Sequence, residues 1–286
     1  TELDDDAYRA MVREALALHV PATALDPATT DRLLARLHHI DLDVHDDAGW
    51  HALHGDASAL PETPARLLRG AQLVVAFAQS EEPKFIENIR AIAGEIPIIP
   101  IAPNPPSGVH VLDHQLAQLQ SMPPIESGAK QMQHLIRTGG LPTSTPGAAK
   151  KLVIHPGSGA ERKNWPIESF VQVAKLMKDK GWSVDFALGE AERERLSDKD
   201  TQRIASIASV RQCQTLDELT DAILAASAYI GNDSGPTHLA AMLGRRVVAM
   251  FGPTSDAAAW APVGPQVKVL PFDTSLDAVA KTLGTA

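Results

Sequence analysis

Apolar and polar positions change rhythm along this 286-residue chain. Over its second half, short apolar runs alternate with stretches of helical period. KLVIH (151–155) reads as a buried strand. IESFVQVAKLMKDK (167–180) places apolar residues at 167, 170, 171, 174 and 177, the spacing of one helix face. Pro166 suits the first position of that helix, Glu168 its first turn, Lys178 and Lys180 its last turn, and Gly181 its end. WSVDFAL (182–188) and ASVRQC (208–213) are strands. TLDELTDAILAAS (215–227) is a helix opened by a capping box of Thr215 with Glu218. AYIGN (228–232), RVVAMF (246–251) and QVKVL (266–270) are further strands, and SLDAVAKTLG is a closing helix. Strands alternating with helices predict an α/β fold with a parallel, Rossmann-like sheet.

The first half shows the same rhythm with fewer strands. AQLVVAF (71–77) and IPIIPI (96–101) read as buried strands, with the helix PKFIENIRAIAG (83–94) between them. VLDHQLAQLQ (111–120) is a second helix, and residues 6–19 and 28–39 also have helical period. The stretch TGGLPTSTPGAAK (138–150) is rich in Gly, Pro, Ser and Thr and reads as a linker between two domains, 1–140 and 148–286.

Composition narrows the function classes. With 44% hydrophobic residues the chain can bury a sizeable core, and its net charge of −9 argues against a general nucleic-acid surface. It does not forbid a local anion pocket. No apolar run reaches the roughly 18–20 residues of a membrane span, and no signal peptide is visible. The single cysteine, Cys213, excludes an internal disulfide and fits a reducing compartment.

The densest chemistry lies in GNDSGPTHLAAMLG (231–244), where a strand passes into a helix. Pro236 supplies a helical φ and lacks a donor that the first turn leaves unpaired anyway. Gly235 lets a ligand approach the backbone, and the first helical N–H groups welcome an anion. Ser234 and Thr237 add hydroxyls, and His238 adds an imidazole. Asp233 suits sugar hydroxyls or a cap. Alone, the stretch reads equally well as a capped helix start with a packed histidine.

HPGSGAERKNWP (155–166) also joins a strand to a helix. Gly157 and Gly159 free the backbone, Ser158 offers donors and Lys163 a point charge, although the spacing is not that of a Walker loop. FGPTSDAAAWAPVG (251–264) follows another strand with Gly252, Pro253 and Thr254. All three turns lie past the carboxyl ends of parallel strands, the edge at which such sheets bind ligands. Two anion-competent turns on one edge suggest a phosphate or diphosphate between them.

In this order and spacing, HPGSG (155–159), Lys163 ahead of Trp165-Pro166, Asp233-Ser-Gly-x-x-His-Leu239 and FGPT (251–254) resemble glycosyltransferase family 9, the ADP-heptose:lipopolysaccharide heptosyltransferases. The resemblance covers roughly residues 150–270 and extends more weakly over 43–120. It implies a GT-B fold, two Rossmann-like domains with a cleft between them, the N-terminal one altered here and facing the acceptor. It implies inverting, metal-independent transfer of a heptose from ADP-heptose to a hydroxyl of a glycan or protein acceptor, with no cofactor. Lys163 would contact donor phosphates or sugar, Asp233 sugar hydroxyls, and Ser158, Gly159, Ser234, Gly235, Thr237 and His238 the diphosphate. The segment around Gln214 to Leu216 would line the base pocket. A cytoplasmic protein, peripheral at the inner membrane face where the acceptor is lipid-linked, follows from the same resemblance. The other reading is a non-catalytic nucleotide-sugar fold used as an interaction module.

Members of the family begin with a strand of the ILVIRLGALGD kind, whose Asp activates the acceptor hydroxyl. This chain starts TELDDDAYRAMVREALALH, without such a unit. Gly55-Asp56 with Pro61 is one substitute, and reads also as a surface turn. His110, Asp113 and His114 follow a predicted strand and are further candidates for the base, or a capped helix start. Asp41-x-Asp43 and the histidines between His38 and His54 show no diagnostic metal spacing and read as a solvated polar segment.

Overall fold

A computed structural model of the chain describes residues 26–35, 62–78, 83–119, 123–138 and 148–284, with isolated positions (6, 9, 10, 12, 13, 53, 56, 58 and 60) ahead of them. The chain divides into two compact units, Thr1–Glu126 and Ser127–Ala286. Among the described residues no helix is long and apolar enough to cross a membrane.

The first unit carries helices α1 (Pro27–Leu34) and α2 (Glu62–Gly70), strand β1 (Val74–Phe77), α3 (Pro83–Ala93), strand β2 (Ile98–Ile101) and α4 (Val111–Leu119). β1 and β2 pair in parallel from Val74 opposite Ile98 to Phe77 opposite Ile101. Ala76, Ala78, Phe85, Ile89 and Ala93 form its core. Gln118 closes α4 onto the end of β2, its carbonyl oxygen accepting from the Ala102 N–H at 2.9 Å. Helix α5 (Pro123–Thr138) spans the boundary between the units.

The second unit is a six-stranded sheet of order β5-β4-β3-β6-β7-β8. In chain order it comprises β3 (Ala148–His155), α6 (Ile167–Asp179), β4 (Ser183–Leu188), α7 (Glu190–Arg195), α8 (Asp198–Ala205), β5 (Ser209–Gln212), α9 (Leu216–Leu224), β6 (Ala226–Asn232), α10 (Gly235–Met242), β7 (Arg246–Phe251), α11 (Ala257–Trp260), β8 (Val267–Pro271) and α12 (Leu276–Gly284). Every neighbouring pair is parallel. The α/β class and parallel sheet expected from the alternating pattern are thus present. The chain runs outward from β3 through β4 to β5, then returns to start β6 on the other side of β3. That reversal leaves a crevice at the carboxyl ends of β3 and β6, the switch point at which such sheets bind ligands.

Both faces of this sheet are covered, which is why its strands read as unbroken apolar runs. Leu152 and Ile154 of β3 pack with Phe170, Val173 and Met177 of α6 and with Val279 and Leu283 of α12. Val153, one residue out of phase, faces the opposite core with Tyr229, Ile223 of α9 and Ala240 of α10. Asp185 is the polar exception in β4, buried between Lys151 Nζ and Arg211 Nε, each 3.1 Å from its Oδ2.

Several elements were not legible in the pattern. α5 begins on two prolines followed by Ser127-Gly128, so its pattern announces no helix, yet proline is tolerated in a first helical turn. α7 is almost wholly charged and α8 is mostly polar, so both carry little apolar signal. They are held by local caps: Glu192 Oε2 accepts from the Gly189 N–H at 2.8 Å, and Ser197 Oγ accepts from the Asp200 N–H at 3.1 Å. α9 ends at Leu224, short of residue 227, because Ala226 is already in the sheet. Pro166 is the N-cap of α6, not its first helical residue. Gly181, at φ +79°, ends that helix in the left-handed conformation glycine tolerates best. The predicted helix at 6–19 falls mostly outside the described residues, as do 139–147 of the linker.

Candidate functional site

The crevice edge is built by three loops: 156–166 after β3, 233–234 after β6, and 252–256 after β7. Their centre is Asp233, which is 8% exposed. Lys163 Nζ lies 2.8 Å from Asp233 Oδ2, and Ser255 Oγ donates to the same oxygen at 2.9 Å. The two residues singled out for donor phosphate and sugar are therefore an ion pair here. Lys163 reaches Asp233 from a short 3-10 turn, Glu161–Lys163. Thr254 Oγ1 donates to Arg162 O at 3.3 Å, tying the third loop to that turn.

The first loop is shaped from behind. Asn232, fully buried at the end of β6, accepts from the Trp165 N–H at 2.8 Å and donates to Pro156 O at 2.6 Å. The Trp165 indole N–H donates to Phe272 O at 3.0 Å, and its ring meets Phe170 edge-on at 5.1 Å between centroids. The Trp-Pro pair is thus the anchor that starts α6. Ser158 is buried, and its hydroxyl lies 2.8 Å from Ala160 O and 2.7 Å from Asn164 Oδ1, so it organises the loop. Arg195 Nη1 donates to Ser158 O at 2.8 Å. In a planar trans peptide the following N–H, that of Gly159, points away from that carbonyl. Gly157 is packed onto Glu192: a Cβ there would fall 1.8 Å from Glu192 Oε1. A cavity of about 330 Å³ opens beside this loop, lined by Gly157, Asn164, Trp165, Glu192 and Arg195 among others.

His155 and Glu192 sit beneath the loop and are both buried. His155 Nδ1 lies 3.0 Å from Ala187 O, and Nε2 lies 3.6 Å from Glu192 Oε1. Burial holds the His155 pKa below its ordinary value, and this outweighs the attraction of Glu192. His155 is accordingly neutral near pH 7, with its Nδ1 proton on Ala187 O.

At the second loop, Ser234 is the N-cap of α10, but its side chain caps no backbone N–H. Its hydroxyl lies 3.1 Å from Thr237 Oγ1. Thr237 is fully buried and donates to Asn232 O at 2.6 Å, and its N–H donates to Ser234 O. The Thr237 hydroxyl thus turns inward. Gly235 is exposed at the rim, and His238 is half-buried on the same helix. The Tyr229 hydroxyl, fully buried below, makes no hydrogen bond among the described residues. Burial pushes the Tyr229 phenol well above its usual range. Leu216 is 68% exposed at the start of α9, beyond the end of β5. Cys213 is half-buried nearby, its thiol pushed up by burial.

Four relations at this site exceed what the motifs alone indicate: Asn232 as the pin between loops, Glu192 under Gly157, Arg195 on the Ser158 carbonyl, and Ser255 on Asp233. Asn232 and Ser255 flank quoted motifs and carried a signal. Glu192 and Arg195 lie in a charged helix with no distinguishing spacing.

The remaining candidates belong to the first unit. Asp56 is fully exposed, and its Oδ1 accepts from the Ser58 hydroxyl at 2.7 Å and the Ser58 N–H at 3.0 Å. These bonds hold its pKa below the usual carboxylate value, the opposite of the shift a general base requires. His110 Nδ1 accepts from the Leu112 N–H at 3.2 Å, capping α4, whose first turn carries Asp113. His114 Nε2 lies 3.1 Å from Gln118 Nε2. Among the described residues no group of three or more His, Cys, Asp or Glu side chains is placed to hold a metal ion. Asp41, Asp43 and the histidines from His38 to His54 lie outside the described residues, as do Gly55 and Pro61.

The family model of glycosyltransferase family 9 (heptosyltransferase) matches residues 109–280, more than half of the chain. The chain belongs to glycosyltransferase family 9. Lipopolysaccharide heptosyltransferase 2 of Escherichia coli K12 is 34% identical over 97 residues, covering 32% of this chain and 28% of that protein. Lipooligosaccharide heptosyltransferase 2 of Haemophilus influenzae is 30% identical over 100 residues, again 32% and 28%. The matched stretch thus spans under a third of the length of these curated relatives. The solved structure of E. coli ADP-heptose LPS heptosyltransferase II superposes with a TM-score of 0.53 at 18% identity, covering 77% of this chain and 78% of that one. A family 9 glycosyltransferase from Veillonella parvula superposes at 0.52 with 19% identity, covering 76% and 67%. These likenesses carry the fold of the family.

Proposed function

We propose that this family 9 chain transfers a sugar from a nucleotide-diphosphate donor, a heptose from ADP-heptose, to a hydroxyl of a glycan or protein acceptor. The observation that carries the reading is the Lys163–Asp233 pair, 2.8 Å apart at the β3/β6 crevice. A cation and a carboxylate side by side suit a ligand with a diphosphate next to a polyol. Lys163, the Ser158–Gly159 loop, Ser234, Gly235 and His238 would face the diphosphate. Asp233 would accept from sugar hydroxyls, and Leu216 would border the base. Thr237 would act by shaping the helix start rather than by its hydroxyl.

In the proposed reaction the acceptor oxygen attacks the anomeric carbon as the bond to the diphosphate breaks, inverting that centre. The electron pair leaves on the β-phosphate oxygen, where Lys163, His238 and the backbone N–H groups stabilise the growing charge. The acceptor proton passes to a general base. His110 and Asp113 lie past the carboxyl end of β2, the edge that suits such a role. No metal takes part in this scheme. Work at a membrane face would follow from a lipid-linked acceptor.

Titration with ADP in EDTA, with UDP as control, tests the site. Micromolar ADP-selective binding that His238→Ala abolishes supports it. Product formation from ADP-heptose then tests catalysis, and turnover unchanged in Lys163→Ala would sink the leaving-group role. The second reading, a nucleotide-sugar fold serving as an interaction module, draws on the two-stranded sheet described in the first unit. Donor binding without transfer or donor hydrolysis would favour it.

A further inference from the structure

We propose that Ser255 positions Asp233 for the donor sugar, an inference that rests on the donor reading above. Lys163 and Ser255 both reach Asp233 Oδ2, at 2.8 and 2.9 Å. No donor reaches Oδ1 among the described residues, so that oxygen remains available to a sugar hydroxyl. The two partners differ in stiffness. Lys163 reaches Oδ2 through a four-carbon stem, and its side chain is 32% exposed. Ser255 has one rotatable bond to its oxygen and sits in a tight turn whose N–H donates to Gly252 O at 3.0 Å. That turn is seated on the core, since a Cβ on Gly252 would fall 2.6 Å from the Phe272 ring. It is also tied to the first loop through Thr254 and Arg162 O.

A diphosphate entering the crevice competes with Asp233 for the Lys163 ammonium. As Lys163 turns towards phosphate, Ser255 keeps its bond to Oδ2. The carboxylate then holds its orientation, with Oδ1 presented to the sugar, at the moment its strongest partner leaves. Ser255 is therefore a positioning residue: it acts through Asp233, and on the sugar rather than on the nucleotide. A hydroxyl that merely satisfied a buried carboxylate would affect folding and both ligands alike.

The test compares ADP with ADP-heptose, titrated without acceptor, in the wild-type chain, Ser255→Ala and Ser255→Thr. The expected result for Ser255→Ala is ADP affinity within twofold of wild type and ADP-heptose affinity lower by about tenfold, the scale of one hydrogen bond to a charged group. Ser255→Thr, which keeps the hydroxyl, restores ADP-heptose binding to within about threefold on the same scale. Equal weakening of both ligands in Ser255→Ala, or no weakening of either, overturns the proposal. A wild-type chain that binds ADP but gains nothing from the sugar also overturns it, while leaving the nucleotide site standing. A wild-type chain that binds neither ligand removes the donor reading and this inference with it.

Discussion

Asn232 Oδ1 accepts the Trp165 N–H at 2.8 Å while its Nδ2 donates to Pro156 O at 2.6 Å. One buried amide thus joins the end of β6 to both ends of the loop that follows β3. Both partners are backbone groups that water does not reach, so each becomes an orphan when the amide is removed. Asn232→Ala should lower unfolding free energy by about 2–6 kcal/mol, two unsatisfied groups at roughly 1–3 each. Asn232→Asp keeps the acceptor but loses the donor to Pro156 O and adds a buried charge, so it should be no milder. Urea unfolding of the three proteins checks this. A loss under about 0.5 kcal/mol in Asn232→Ala, less than a single net hydrogen bond, would show that the loop is held without the pin.

Gly157 makes a second prediction. A methyl group there meets Glu192 Oε1 at 1.8 Å and its Cδ at 2.6 Å. Glu192 cannot swing away freely, because its other oxygen holds the Gly189 N–H. Gly157→Ala should therefore cost about 1–3 kcal/mol, the range of overpacking. Adding Glu192→Ala should return part of that loss. Additive losses in the double variant would mean that the two residues do not compete for the same space.

How much was legible follows from where each signal resides. Leu152, Ile154, Val248 and Met250 lie in strands covered on both faces, so their apolar runs announce the sheet directly. Thr215 and Glu218 announce their cap by spacing alone, and the Glu218 N–H does bond Thr215 Oγ1 at 3.2 Å. Lys163 and Asp233 are legible as residue types in motifs, but their pairing across 70 positions is not, since it depends on the β3/β6 crossover. Glu192 and Arg195 fail for a different reason. In a helix reading EAERER every residue resembles solvated surface, and only the fold selects the two that turn inward to the loop. The inward turn of Thr237 is hidden likewise, because a hydroxyl beside an anion-competent helix start reads first as a ligand donor.

The buried His155 predicts a pH dependence. Its pKa is depressed in the folded chain, so between that value and the ordinary 6.5 the unfolded chain binds the extra proton. Stability is then fully present above about pH 6.5 and is lost as pH falls towards the folded value. The check is the difference between wild type and His155→Gln in denaturation curves from about pH 8 to 5, around the ordinary histidine value. The variant should lose less stability over that range because it has no imidazole to protonate. Parallel pH profiles would mean that the His155 pKa is the same in the folded and unfolded chain, and a wild type that gains on the variant as pH falls from about 8 would mean that the folded imidazole is charged, paired with Glu192.

Thr237 separates scaffold from ligand contact at the helix start. Its hydroxyl is fully buried and gives its proton to Asn232 O at 2.6 Å. Thr237→Val preserves shape and removes that bond together with the contact to the Ser234 hydroxyl, so unfolding free energy should fall by about 1–2 kcal/mol. ADP affinity should stay within twofold of wild type, since the backbone of Ser234 and Gly235 keeps its place. His238→Ala should show the reverse pattern, with little change in melting and a large loss of nucleotide binding. The comparison needs both titration and thermal unfolding on the same preparations. If Thr237→Val instead lost ADP binding tenfold with its melting unchanged, the hydroxyl would have to rotate outward in the bound state. The inward hydrogen bond would then be a feature of the ligand-free site, exchanged for phosphate when the donor arrives.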